Sequence, residues 1–272
     1  MTPAARIQAV IELLAEVIET PRPADTLASL YFRARRFIGS KDRAAINTRF
    51  YRVMREYIRL GWWVGKAGME PTARNIVIAA LLFDGEHTAE SLPMMFSGER
   101  FAPEELTDAE YKMAQALEGK KLDDASMPLR ERNECPEWAF DALQRALGAR
   151  FEDEMKAMMS AAPLDLRVNT IKATREEILK QLQKEGFDAH AGKISPLSIR
   201  VFGRPQLSQH DLYQNGFFEI QDEGSQMVAL VADAQPGEQV ADFCAGAGGK
   251  TLALGASMLN KGRIVAMDVL GG

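Results

Sequence analysis

The sequence predicts a multidomain chain: an all-α N-terminal region, a small α+β unit, and the start of an α/β domain built on a parallel sheet. Three observations carry that expectation. Apolar residues recur at spacings of three and four through most of residues 4–150, the repeat of buried helix faces. After Pro163 the pattern changes to short alternating runs that read as strands around one helix. From Val240 a short apolar run, a glycine-rich turn, a helix-like run and a second apolar run follow in order, which is the pattern of a βαβ unit. The expected divisions are 1–150, 151–220 and 221–272.

Each element follows from its residues. Ile7, Val10, Ile11, Leu14, Val17 and Ile18 form one helical stripe, ended by Pro21 and Pro23. Ser40-Lys41-Asp42 opens a second helix with Ala45, Ile46, Phe50, Val53, Met54 and Tyr57 inward. Arg43, Arg49, Arg52 and Arg59 lie largely off that stripe, where a basic face would sit. Trp62 and Trp63 read as core or inter-helix packing. Asn75 to Phe83 is a short apolar helix, and residues 84–108 are loop-rich, with His87 an exposed loop residue. "NECPEWAFDALQRALG" reads as a turn and a helix closed by Gly148, with Cys135 structural, and a further helix runs from Phe151 to Ser160. Leu164, Leu166 and Val168 alternate with Asp165, Arg167 and Asn169, a half-buried strand. Thr174 and Glu177 have capping-box spacing ahead of a helix that Gly186 closes. "SIRVFG" and "FFEIQ" read as strands. Ser225 to Ala232 is helix-like, Val240 to Phe243 a strand, Leu252 to Leu259 a helix and "RIVAMDV" a strand of a Rossmann-like domain.

Composition narrows the classes. With 46% hydrophobic and 26% charged residues in 272, the chain can bury a sizeable core. It contains no apolar run of about 18 residues, the length that spans a bilayer. Glutamates interrupt the apolar N-terminal stretch, which argues for an amphipathic helix over a signal peptide. Two cysteines, Cys135 and Cys244, imply neither a disulfide framework nor a clustered metal site, and fit a reducing cytoplasm. The net charge of -5 hides an asymmetry. Residues 33–59 hold nine Lys/Arg against two Asp/Glu, and residues 84–137 hold six against fourteen. The first stretch is either a solvated helix surface or a basic face for nucleic acid.

The loop "VADFCAGAGGKTLAL" admits three ligands. A phosphate loop needs G-x-x-x-x-G-K-[ST]; Gly249-Lys250-Thr251 fits, but Cys244 stands at the first glycine. A dinucleotide fingerprint needs G-x-G-x-x-G; Gly246 and Gly248 fit, but Thr251 stands at the third. S-adenosylmethionine has no pyrophosphate, needs close backbone approach, and wants a carboxylate at the end of the next strand for its ribose. Asp268 stands there, 19 residues after Gly249. Asp242 ends the first strand and either orients the loop or faces the ligand. A glycine turn serving some other ligand remains the bland alternative.

"PLDLRVNTIKATREEI", "GFFEIQDEGSQMVALVADAQPGEQVADFCAGAGGKTLAL" and "GRIVAMDV" resemble the RsmB/Nop/Sun family of S-adenosylmethionine-dependent RNA cytosine-C5 methyltransferases. The resemblance covers some 110 residues from Pro163, and the helical region before it is similar to the family's NusB-like RNA-binding domain. The usual loop Cys-Ala-Ala-Pro-Gly-Gly-Lys-Thr reads Cys244-Ala245-Gly246-Ala247-Gly248-Gly249-Lys250-Thr251 here, with Ala247 for proline. The resemblance implies that Cys244 to Lys250 line the methionine part of the cofactor and that Asp268 holds the ribose. It places Arg167 and Asn169 in an RNA-facing segment, against the plain reading of Arg167 as an exposed strand charge. It further implies small-subunit rRNA as substrate and a cytoplasmic enzyme, monomeric when full length, without metal or membrane. The family attacks cytosine C6 with a cysteine in a context that this sequence does not contain, so the nucleophile is expected beyond residue 272 and the chain is expected to be the first part of a longer enzyme. A two-stranded parallel fragment would then leave an open edge and an uncovered apolar face. A non-catalytic RNA-binding module and a nucleotide hydrolase using Gly249-Lys250-Thr251 are the competing readings.

Overall fold

A computed structural model describes residues 1–160, 162–203 and 205–269, so the last residues of the expected third division lie outside the described residues. The chain forms two compact units, residues 1–160 and 161–272. The expected boundary at 150 falls too early. The helix Phe151–Met159 packs through Phe151 and Met155 against Cys135 and Ala139, which ties it to the first unit.

The first unit is helical: α1 (Pro3–Glu19), α2 (Ala24–Ala34), α3 (Ser40–Arg55), α4 (Tyr57–Lys66), α5 (Ala73–Phe83), α6 (Asp108–Leu117), α7 (Leu129–Arg132), α8 (Glu137–Leu147) and α9 (Phe151–Met159). The Thr2 hydroxyl accepts the Ala5 amide at 3.1 Å to start α1. α5 is apolar nearly all round, and Ile76, Val77, Ile78, Ala79 and Leu81 are all buried, so it is the centre against which α1, α4 and α6 pack. Ile7, Leu14, Phe50, Leu60 and Phe96 complete that core. The helix expected from Ser40 to Tyr57 divides at Glu56, whose φ of -112° and ψ of 12° leave the helical region. Trp63 is buried and donates its indole N–H to the Leu122 carbonyl at 3.0 Å, while Trp62 packs edge-on against it.

The second unit contains β1 (Leu164–Val168), α10 (Arg175–Lys184), β2 (Ala189–Ala191), β3 (Ser198–Val201), α11 (Asp211–Gln214), β4 (Phe218–Ile220), α12 (Glu223–Ala232), β5 (Gln239–Asp242), α13 (Gly249–Ser257) and β6 (Arg263–Ala266). Among the described residues, β2-β3-β1-β4 make an antiparallel sheet in which Leu166 faces Ile199 on one side and Ile220 on the other. The capping box at Thr174 and Glu177 forms as its spacing predicts.

β1 departs from its expected half-burial. Asp165 and Arg167 are 2% and 4% exposed, because α12 packs on the face they occupy. Asp165 takes both donors of Arg200, at 2.7 and 2.8 Å, in a bidentate pair. β5 and β6 pair in parallel, with Val240 opposite Ile264, and α13 covers one side through Ala253 and Leu254, with Met258 just after it. On this α/β segment Phe243, Val265 and Val269 stay exposed, as do Val228 and Val231 of α12.

Candidate functional site

The glycine loop sits where β5 hands the chain to α13. Met267 donates its amide to the Asp242 carbonyl at 2.8 Å, which extends the strand pair by one bond and brings the chain after β6 alongside the loop. Ala245 then donates to the Met267 carbonyl at 2.9 Å. The Gly246 amide donates to the Asp268 carboxylate at 2.8 Å, so the acid at the end of the second strand lies against the loop. Gly246 and Gly248 have φ of 53° and 84°, a region where a Cβ is strained. Gly248 is the N-cap of α13, so the first-turn amides of that helix point out without intrahelical partners. Asp242 is buried and accepts the Thr251 hydroxyl at 2.6 Å; it orients the helix start. Cys244 is exposed, and Lys250 is half-buried.

Such a loop suits a small ligand that carries both an anionic group and hydroxyls. Helix N-terminal amides attract the first, and a carboxylate accepts from the second. The geometry brings Cys244, Ala245, Gly246, Ala247, Gly248, Gly249, Lys250 and Asp268 into one neighbourhood. Behind them lie two groups that spacing alone does not place. The Arg167 guanidinium donates to the Gln221 side-chain oxygen and to the Gly249 carbonyl. A Cβ on Gly249 would come to 3.1 Å from the Gln221 side-chain amide nitrogen, a tight contact that the Gln221 side chain would have to yield to. Burial lowers the pKa of Arg167, with Glu219 opposing.

The structure therefore corrects the expectation of an outward Arg167: the side chain is buried and spends its donors inside the unit. Asn169 is half-buried and bridges backbone, donating to the Gly216 carbonyl at 2.9 Å and accepting the Ile171 amide at 3.2 Å.

The expected basic face is altered in the same way. Arg49 pairs with Asp84 at 3.5 Å and Glu86 at 3.0 Å. Arg52 pairs with Glu56 at 3.2 Å and donates to the Phe83 carbonyl. Arg43 donates to the Ile38 carbonyl at 2.8 Å. Arg59, also expected on that face, is buried and pairs with Asp123 and Glu134. The basic and acidic stretches of the sequence thus partly neutralise each other across the helical unit. The cations left exposed are Arg33, Arg36 and Lys41, around an exposed Phe37, and sequence reasoning did not separate them from the paired ones. His87 is half-buried beside Asp84, 3.7 Å away, which corrects its expected exposure. Asp84, Glu86 and His87 could reach one cation, but Arg49 already holds both carboxylates.

Residues 135–206 match the family described as the RsmF/B-like methyltransferase, ferredoxin-like domain. The chain is 31% identical over 149 residues to the probable ribosomal RNA small subunit methyltransferase B of Bacillus subtilis (strain 168), a match covering 54% of this chain and 33% of that protein. The probable ribosomal RNA small subunit methyltransferase B of Synechocystis sp. is 29% identical over 160 residues, covering 58% and 36%. A match to the ribosomal RNA small subunit methyltransferase B of Erwinia tasmaniensis extends over 260 residues at 23% identity, covering 90% of this chain and 59% of the relative. The chain thus spans about a third to three fifths of the length of these curated relatives. Among solved structures, the crystal structure of PH0851 shares the fold, with a TM-score of 0.70 and 22% identity, over 99% of this chain and 64% of that one.

Proposed function

We propose that this chain, a relative of the ribosomal RNA small subunit methyltransferase B proteins, is the RNA- and cofactor-holding portion of an enzyme that methylates small-subunit rRNA at cytosine C5 with S-adenosylmethionine. The observation that carries this reading is the Asp268 carboxylate resting on the Gly246 amide, at the ends of two parallel strands and beside an open helix N-terminus.

S-adenosylmethionine supplies an electrophilic methyl group when bound. This chain's residues would hold and orient it. The backbone at Gly246 and Gly248 allows close approach, the first-turn amides of α13 with Lys250 receive the amino-acid carboxylate, and Asp268 receives the ribose. Asp242 keeps that helix start in place through Thr251. Cytosine C5 accepts a methyl group only when a thiolate adds at C6. Cys135 is fully buried and its thiol is pushed up by that burial, and Cys244 belongs to the loop, so the reading assigns neither to that attack. Arg33, Arg36 and Lys41 would contact RNA phosphates, with Phe37 offering a face for an unpaired base.

Calorimetric titration with S-adenosylmethionine tests the reading. The wild-type chain is expected to bind, and Asp268→Ala to bind at least about tenfold more weakly, because a lost charge-assisted bond is worth roughly 1.5–3 kcal/mol. Equal binding by both proteins, or tighter binding of ATP, would overturn it.

A further inference from the structure

We infer that Arg167 is a positioning residue for the glycine loop, holding the start of α13 in register with the antiparallel sheet so that the loop presents its amides to the ligand. The inference rests on the reading of that loop as an S-adenosylmethionine site. Arg167 is 4% exposed. Among the described residues no carboxylate lies within ion-pair distance of its guanidinium; Glu219 acts only at longer range. On neighbouring β3, Arg200 shows the usual solution, with Asp165 and Glu223 both paired to it. Arg167 instead meets two neutral oxygens, the Gln221 side chain and the Gly249 carbonyl. A cation that is buried without a counter-charge stabilises a fold poorly. Its partners therefore point to what it does.

Arg167 and its two partners belong to three separate segments. Arg167 is on β1, Gln221 follows β4, and Gly249 opens α13. Gln221 is itself tied to β1 through its amide, which donates to the Asp165 carbonyl at 3.0 Å. The loop is pinned in front by Met267 and Asp268. Behind, Arg167 holds the Gly249 carbonyl, and the Gln221 side chain packs closely against the same glycine. The β1 guanidinium thus fixes the point from which the α13 amides are aimed.

The test compares the full 272-residue wild-type chain with Arg167→Met, an apolar side chain of similar length, and Arg167→Lys. Two readouts are taken: the S-adenosylmethionine Kd, and amide hydrogen exchange without ligand. Arg167→Met is expected to unfold cooperatively near the wild-type midpoint and to bind about tenfold more weakly, since small misplacements of binding groups are costly. Exchange should quicken at Leu252 to Leu254 and stay unchanged in the β1–β3 ladder. Arg167→Lys should fall between the two. A folded Arg167→Met with wild-type Kd and wild-type α13 exchange overturns the inference. If Arg167→Met does not fold, the same readouts on Arg167→Lys decide, and wild-type values there overturn it. If the wild-type chain does not bind S-adenosylmethionine, the reading of the ligand fails, and faster α13 exchange in Arg167→Met still supports the positioning role.

Discussion

Arg49 and Arg33 stand sixteen positions apart in one basic stretch, yet Arg49 is ion-paired and Arg33 is exposed. Arg49 neutralises Asp84, whose side chain is only 4% exposed, so Arg49→Ala leaves a buried carboxylate short of a partner. The expected loss in unfolding free energy is about 1–3 kcal/mol, read by urea titration, with RNA affinity nearly unchanged. Arg33→Ala with Arg36→Ala should do the reverse. Stability holds, affinity for structured RNA falls, and the slope of log K against log salt shrinks by roughly one per lost phosphate contact. Asp42 gives a pH signature. Hydrogen bonds from the N-terminal ammonium and from Arg6 hold its carboxyl below the usual range. A depressed native pKa stabilises the fold above the unfolded value of about 3.9, and that contribution is lost as pH falls through the native value. Thermal midpoints of wild type and Asp42→Asn should therefore differ at neutral pH and converge as the pH is lowered.

Elements were legible where their signals are local. The α10 capping box, the two short strands Ser198–Val201 and Phe218–Ile220, and the strand–loop–helix–strand order of β5, α13 and β6 follow from residues within a few positions of each other. Thr174→Ala should cost about 1 kcal/mol by removing one cap, read by chemical denaturation. Gly248→Ala should cost about 1–2 kcal/mol, because the alanine must adopt a φ of 84° as N-cap of α13. It should also weaken binding of the loop's ligand. β1 was harder to read. Alternation assigns residues to two faces but says nothing of what covers each face, and α12 turned the expected solvent face into an interior.

At the scale of the molecule, two compact units divide the chain near residue 160. Ligand binding to the glycine loop should stabilise the second unit alone. At a concentration one hundred times Kd the gain is about 2.7 kcal/mol. Hydrogen exchange should show it in residues 162–269 and leave α1 to α6 unchanged; protection spread equally over both units would contradict a loop-centred site. Phe243, Val228, Val231 and Val265 of the second unit are exposed. Among the described residues its parallel sheet has two strands.

Local sequence was enough for the helical N-terminal unit, the strand–loop–helix–strand order of β5, α13 and β6, and the place of Asp268 at the end of the second strand, whereas β2 and the β2-β3-β1-β4 order of the antiparallel sheet were not legible in it. Each of the legible features depends on periodicity, on glycine's tolerance of positive φ, or on the fixed length of one βαβ unit. The fate of the charges depended on which elements pack together. Arg49 meets Glu86 across 37 positions, and Arg167 meets Gly249 across 82. Pairing at such separations is set by which faces pack together, and a burial that desolvates a guanidinium cannot be read from its neighbours in the chain.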